Sequence, residues 1–201
     1  MMSKELDMAR ELVKILEEKE NAQTDKVELS TLNHGETFKV GEHGFIVLEQ
    51  KQGQTMVISK GFMAEDVVFD DNSRNYNESS LKKLIESNIQ PIIEDAIGAD
   101  NLVEHEVDLT SVDMQNEFGT CSCKVRPITF NEVRRYNDLL VNKDLDDWWW
   151  TCTPWSTEER GCKYSIAVVS PSGGIGSSSC YGNVGVRPFC IFSSSIFESE
   201  E

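Results

Sequence analysis

Trp148-Trp149-Trp150-Thr151-Cys152-Thr153-Pro154-Trp155 opens, and Gly185-Val186-Arg187-Pro188-Phe189-Cys190-Ile191-Phe192 closes, the section around which this 201-residue chain is organised. Both segments are stiff and apolar. Between them lies Ser172-Gly173-Gly174-Ile175-Gly176-Ser177-Ser178-Ser179-Cys180-Tyr181-Gly182-Asn183, which is small, polar and nearly devoid of core-forming side chains. Two strand-like segments holding a soft insert is how a scaffold mounts a binding loop. Gly, Ser, Tyr and Asn together are also the palette of a paratope, in which Tyr anchors and the small polar residues adapt. The candidate ligand-contacting residues are therefore Gly174, Gly176, Ser177, Ser178, Ser179, Tyr181, Gly182, Asn183 and Val184, joined by Trp155 just beyond Pro154 and by Cys162. Ile175 and Cys180, the compact apolar members of the insert, are expected to face inward as supports. Gly173 and Gly185 stand at its edges, where a tight turn or close backbone approach favours Gly. The Trp run reads as structural: Trp148 and Trp150 share one face of a strand and Trp149 takes the other.

From Ser165 to Phe197 the chain contains no Lys, Glu, Gln, Met or Trp, although all five occur elsewhere. No codon ending in a pyrimidine encodes any of the five. Randomising the adenines of Asn codons would leave that footprint. Strands and Gly/Ser loops also avoid Lys, Glu and Gln on their own account. Composition leaves both explanations open.

Trp148-Trp149-Trp150, Ser170-Pro171-Ser172-Gly173 and Gly185-Val186-Arg187-Pro188 resemble landmarks of C-type-lectin-fold variable proteins, the targets of diversity-generating retroelements in phages and bacteria. They also resemble undiversified phage and bacterial domains of that fold. More weakly, the resemblance extends over residues 25–192, through Asn75-Tyr76-Asn77-Glu78-Ser79-Ser80-Leu81 and Arg126-Pro127-Ile128-Thr129-Phe130-Asn131-Glu132-Val133. It implies an α+β, C-type-lectin-like fold: two helices against a twisted, mostly antiparallel sheet, with a long loop-rich C-terminal part. It also implies a receptor-type protein whose diversified C-terminal surface, over about residues 162–185, binds a protein or glycan target and uses no cofactor. The alternative on the same fold is a cysteine-dependent enzyme related to formylglycine-generating enzymes, with Cys152 or Cys162 as nucleophile. No motif here transfers those enzymes' residue roles position by position.

A formal net charge of −16 works against a phosphate backbone, whose binding needs Lys and Arg to displace counterions, so nucleic acid is not an expected partner. With 27% charged and 39% hydrophobic residues the composition is that of a globular domain. No apolar run has the length of a membrane span, and the start lacks the layout of a signal peptide. Synthesis in the cytoplasm is expected, with virion association or display by a non-classical route. Of the six cysteines, Cys121-Ser122-Cys123 form no C-x-x-C pair. Their thiols are expected on opposite faces of a strand, and all six are read as free. Asp144, Asp146 and Asp147 are calcium candidates, but the lectins' calcium–sugar tripeptide is not visible and a metal-free loop is preferred. His34 and His43 read as turn residues.

Residues 1–24 read as an amphipathic helix and connector, with Met2, Leu6, Ala9, Val13 and Leu16 on one face, and residues 25–201 as the binding domain. That helix either docks on its own domain or joins copies into a homo-oligomer. Thr37–Val40 and Phe45–Leu48 flank a four-residue turn, and a second turn follows at Lys51–Gln54. Ser79 or Ser80 caps a helix through Leu81, Leu84, Ile85 and Ile89, with a kink near Pro91 and a stop at Gly98. Leu102 to Leu109 alternates like a strand. Thr129 and Glu132 form a capping box that opens a helix over Phe130 to Leu140. Arg187 is expected to be buried or partly buried with its guanidinium hydrogen-bonded to backbone or carboxylate, because an unpaired charge there is expensive, and Pro188 to fix the strand's exit.

Overall fold

The computed structural model describes residues 26–200, so the helix expected over Ser3 to Lys19 lies outside the described residues. The strands are β1 (Lys26–Glu28), β2 (Thr37–Val40), β3 (His43–Lys51), β4 (Gln54–Ser59), β5 (Ala64–Val68), β6 (His105–Asp108), β7 (Thr120–Cys123), β8 (Val125–Pro127), β9 (Trp149–Pro154), β10 (Ser165–Val169), β11 (Ile175–Ser179), β12 (Asn183–Val186), β13 (Pro188–Ser193) and β14 (Phe197–Glu200). They form a seven-stranded sheet in the order β1-β14-β2-β3-β4-β13-β8, a five-stranded sheet β11-β10-β9-β12-β5, and the pair β6-β7. Among the described residues every strand pairing is antiparallel except that of β12 with β9. The architecture is α+β with mostly antiparallel sheets.

Two tight hairpins start the large sheet. Val40 pairs with His43, so the first loop is Gly41-Glu42 rather than the expected four residues. Gly41 at φ +60° supplies the left-handed residue that a two-residue hairpin needs, and His43 and Gly44 are drawn into the ladder. In the second loop Gln52 and Gly53 both have positive φ, the signature of a type I′ turn.

The helical segments take opposite faces of that sheet. Ser79 Oγ accepts the Lys82 N–H at 3.1 Å and starts α1 (Ser80–Leu84), which passes through a π-helical turn, Ile85–Ile89, into α2 (Gln90–Ile97). The expected kink takes this form because the ring of Pro91 would meet the carbonyl four residues back; a wider turn relieves the clash. Gly98, at φ +86°, ends the helix by donating to Glu94 O at 2.8 Å. Leu81, Ile85, Ile89, Ile93 and Ile97 pack with Phe38, Val40, Phe45, Val47 and Val57. The helix α3 (Phe130–Leu140) has the bounds its capping box predicts: the Thr129 N–H donates to Glu132 Oε2 at 2.8 Å and the Glu132 N–H to Thr129 Oγ1 at 3.2 Å. Its Val133, Tyr136 and Leu140 meet Ile46, Leu48, Ile58, Phe189 and Ile191. Adjacent residues of β3 thus serve different cores, as the alternation of a strand requires.

The expectation for the paired cysteines is reversed. Residues two apart in a strand share a face, so Cys121 and Cys123 are both buried and Ser122 points outward. All six cysteines are free.

A buried cation anchors this region. Arg126 Nη1 and Nη2 donate to Glu132 at 2.8 and 2.6 Å, and Nε donates to His105 Nε2 at 3.0 Å. His105 Nε2 must then be unprotonated, which leaves Nδ1 to donate to Val103 O at 3.2 Å. Burial, then the Arg126 charge, lower its pKa to about 4. The unfolded chain takes up the His105 proton near pH 6.5 and the folded one only near 4, so acidification across that window favours unfolding. A loss of about 2 kcal/mol between pH 7 and pH 4.5 is expected from this ring, allowing for its partial exposure. Urea titrations of the wild type and His105→Gln at both pH values check it: the variant should lose less stability on acidification.

Candidate functional site

The five-stranded sheet carries the section between the Trp run and Arg187. The insert is not a soft loop throughout: Ile175 to Ser179 form β11, the edge strand, paired with β10 in the register Val168↔Gly176. Gly and Ser have little strand preference of their own, and β10 with Ile166, Val168 and Val169 supplies the template. The hairpin turns through Pro171-Ser172-Gly173. Ser170 N–H donates to Gly174 O at 2.8 Å, Gly173 N–H donates to Ser170 O at 2.9 Å, and Gly173 stands at φ +80°. Asn137 Nδ2 of α3 donates to Gly173 O at 2.9 Å, which pins the tip to the scaffold.

A cleft of about 200 Å³ lies along β11, lined by Trp148, Val168, Gly176, Ser177, Ser178 and Val184. The Trp148 ring lies flush on Gly176, where an added Cβ would stand 3.0 Å from Cζ3. Trp148 is 38% exposed, Ile175 37% and Tyr181 58%. Six large hydrophobic side chains are exposed among the described residues, and these three all belong to the section that forms this surface.

Of the predicted contact residues, Gly176, Ser177, Ser178 and Val184 meet at the cleft, Val184 as a buried wall. Gly174 is exposed in the hairpin turn, and Ser179 is half-buried at the end of β11. Tyr181, Gly182 and Asn183 follow in the next turn, which the Gly182 N–H closes on Ser179 O at 2.8 Å. The Tyr181 ring meets Tyr164 edge-on at 5.8 Å. Trp155 and Cys162 are half-buried and do not line the cleft. Trp148, read from sequence as part of the frame, is the aromatic at the cleft. It precedes β9 at the sheet's end, where its ring can swing across β10 onto a residue without a side chain. That juxtaposition needs the register, which the local sequence does not contain.

The two supports divide. Cys180 is fully buried, its N–H donating to Tyr164 O at 2.6 Å and its carbonyl accepting from Asp70 N–H at 3.0 Å. Ile175 is not an inward support. An edge strand has a neighbour on one side only, so part of its side chain stays in solvent.

Behind the cleft the landmark residues form a rigid frame. Trp149 and Trp150 are fully buried in different cores, and Trp150 Nε1 donates to Val67 O at 2.7 Å. Arg187 is fully buried; its Nε donates to Ser59 O at 3.0 Å, its Nη1 to Leu140 O at 2.9 Å, and its guanidinium lies 4.5 Å from the Trp149 ring centroid. Burial without a carboxylate lowers its pKa to about 10. Pro188 opens β13. Gly185 touches the Phe62 ring, where any Cβ would stand 2.5 Å from Cε1.

Beyond Trp148, a hollow of about 300 Å³ is lined by Phe62, Glu65, Asp66, Asp146, Asp147 and Gly185. Its four carboxylates form no salt bridge among the described residues. Among those residues no three His, Cys, Asp or Glu side chains converge as metal ligands.

No protein-family model, curated protein or solved structure matches the chain. The chemistry of the site therefore rests on its own geometry. Cys152 is fully buried, its Sγ 3.8 Å from Ile128 O, and burial pushes its pKa up to about 12, far from what a nucleophilic thiolate requires. No described helix is long and apolar enough to cross a membrane.

Proposed function

We propose that this protein is a target-recognition module of C-type-lectin-like fold, binding a protein or glycan through the surface of β11, the turn that follows it and Trp148. The exposure of Trp148, Ile175 and Tyr181 beside a Gly/Ser strand carries the reading. Large aromatics left in solvent on a rigid frame act as anchors, while small polar neighbours adapt. Support for the fold assignment comes from helices on opposite faces of an antiparallel sheet and from Trp149 stacked on Arg187. Diversification by a retroelement fits the absence of Lys, Glu, Gln, Met and Trp from Ser165 to Phe197.

Two measurements test this. In the DNA beside the gene, a near-copy of the stretch encoding residues 165–192, differing only at template adenines and next to a reverse transcriptase, is expected. Its absence, together with a lack of clustered substitutions among related strains, removes the diversification component. For binding, a glycan array and cell-surface extracts are probed with wild type, Trp148→Ala and Tyr181→Ala. Each variant is expected to lose about tenfold in affinity, the scale of an aromatic anchor, while still unfolding in a single cooperative thermal transition. Unaltered binding in both would refute the assignment of the surface.

A further inference from the structure

We propose that β11 captures an extended, basic polypeptide segment as a sixth strand of the five-stranded sheet. The inference rests on the surface assigned above and names the class of its target.

The edge of β11 is open and its hydrogen-bonding phase is fixed. Ser170 N–H bonds to Gly174 O, and the Cys180 N–H bonds to Tyr164 O, one at each end of the strand. Opposed residues of an antiparallel pair alternate between bonded and non-bonded. Gly176 and Ser178 therefore bond to β10, whereas the N–H and C=O groups of Ile175 and Ser177 point away from the sheet. Among the described residues no strand pairs with that edge.

The other edges of the two larger sheets are protected. β5 carries Glu65 and Asp66, with Asp66 at φ +53° and a register shift in its ladder. β1 is three residues long with a charge at each end, and β8 is three residues long with Arg126 and Pro127. Charges, prolines, bulges and shortness are what keep an edge from pairing. Ile175–Ser179 has none of them across five residues.

The occupant's chemistry follows from what flanks the edge. Side chains of an added strand alternate, so one set falls over the cleft at Trp148 and Gly176, which suits an apolar residue. Asp146 and Asp147, next to Trp148 in the chain, carry unbridged carboxylates, and the whole chain has a net charge of −16, which draws a cationic segment. A glycan would use the aromatic ring but not the row of backbone donors and acceptors.

The test uses the full chain and a fluorescein-labelled peptide of roughly ten alternating Val and Lys residues, with alternating Val and Glu as control. Saturable binding of the Val-Lys peptide alone is expected. Ser177→Pro deletes an outward N–H that the sheet does not use, so it should fold and weaken binding by about tenfold or more. Ser177→Ala should bind within about twofold of wild type, because the backbone makes the contact. Two further peptides, N-methylated at every Val or at every Lys, require no change in the protein: one should fail to bind and the other succeed. No saturable binding, or binding indifferent both to Ser177→Pro and to the methylation pattern, overturns strand addition. If Trp148→Ala still weakens binding on the glycan array or to cell-surface extracts in that case, the surface assignment survives alone. If Trp148→Ala also has no effect, both fall.

Discussion

Glu132→Ala is expected to lower the unfolding free energy by about 4 kcal/mol, the scale of stripping one partner from a buried ion pair. Arg126 is 3% exposed and gives both terminal nitrogens to this carboxylate, with the Phe189 ring 4.0 Å from its guanidinium. Without Glu132 the charge keeps only His105 and the Pro127 carbonyl. The capping box is lost in the same step. Burial would raise the Glu132 pKa, but Arg126 and the Thr129 donors hold it below the usual carboxylate value. This contribution is therefore complete at neutral pH and disappears only when acid protonates the folded carboxyl. Urea unfolding at pH 7 measures it; a loss below about 1 kcal/mol would show that water reaches Arg126 when its partner is gone.

Cys180→Asp should cost about 3–4 kcal/mol, because it sets a carboxylate in a fully buried position with both backbone groups already engaged. Ser177→Ala should stay within about 0.5 kcal/mol, and Ile175→Asp should cost far less than Cys180→Asp. Thermal unfolding of the three variants compares them. Equal destabilisation by Cys180→Asp and Ile175→Asp would mean that Ile175 is core and that the exposed patch is smaller than the structure indicates.

What was legible in the sequence was local. Thr129 and Glu132 sit three residues apart and satisfy each other's backbone, so the start of α3 needs no distant information. The same is true of Ser79, Gly98 and the paired turn residues Gln52-Gly53. The burial of Arg187 was legible from its apolar neighbours. The strand β11 was not, since nothing in Ile-Gly-Ser-Ser-Ser favours extension until β10 lies beside it. Nor was the choice of Trp148 over Trp155, which depends on a glycine opposite Val168 in the next-but-one strand. Cys121 and Cys123 differ again: the period of two already puts them on one face, and the expectation that separated them misapplied it.

The position of β14 has a consequence for the order in which the chain can be completed. It lies between β1 and β2, with Lys26 opposite Ser199 and Phe38 opposite Glu200. On the ribosome, β2, β3 and β4 emerge well before β14 and can zip by their own hairpins, while the flank of β2 waits for that distant strand. Closing so long a loop is entropically late, and until then that flank offers free backbone groups to any neighbouring nascent chain. Vectorial synthesis thus leaves the flank of β2 unsealed until Phe197–Glu200 have left the exit tunnel, and the docking of β14 is the step that ends its exposure to misassembly.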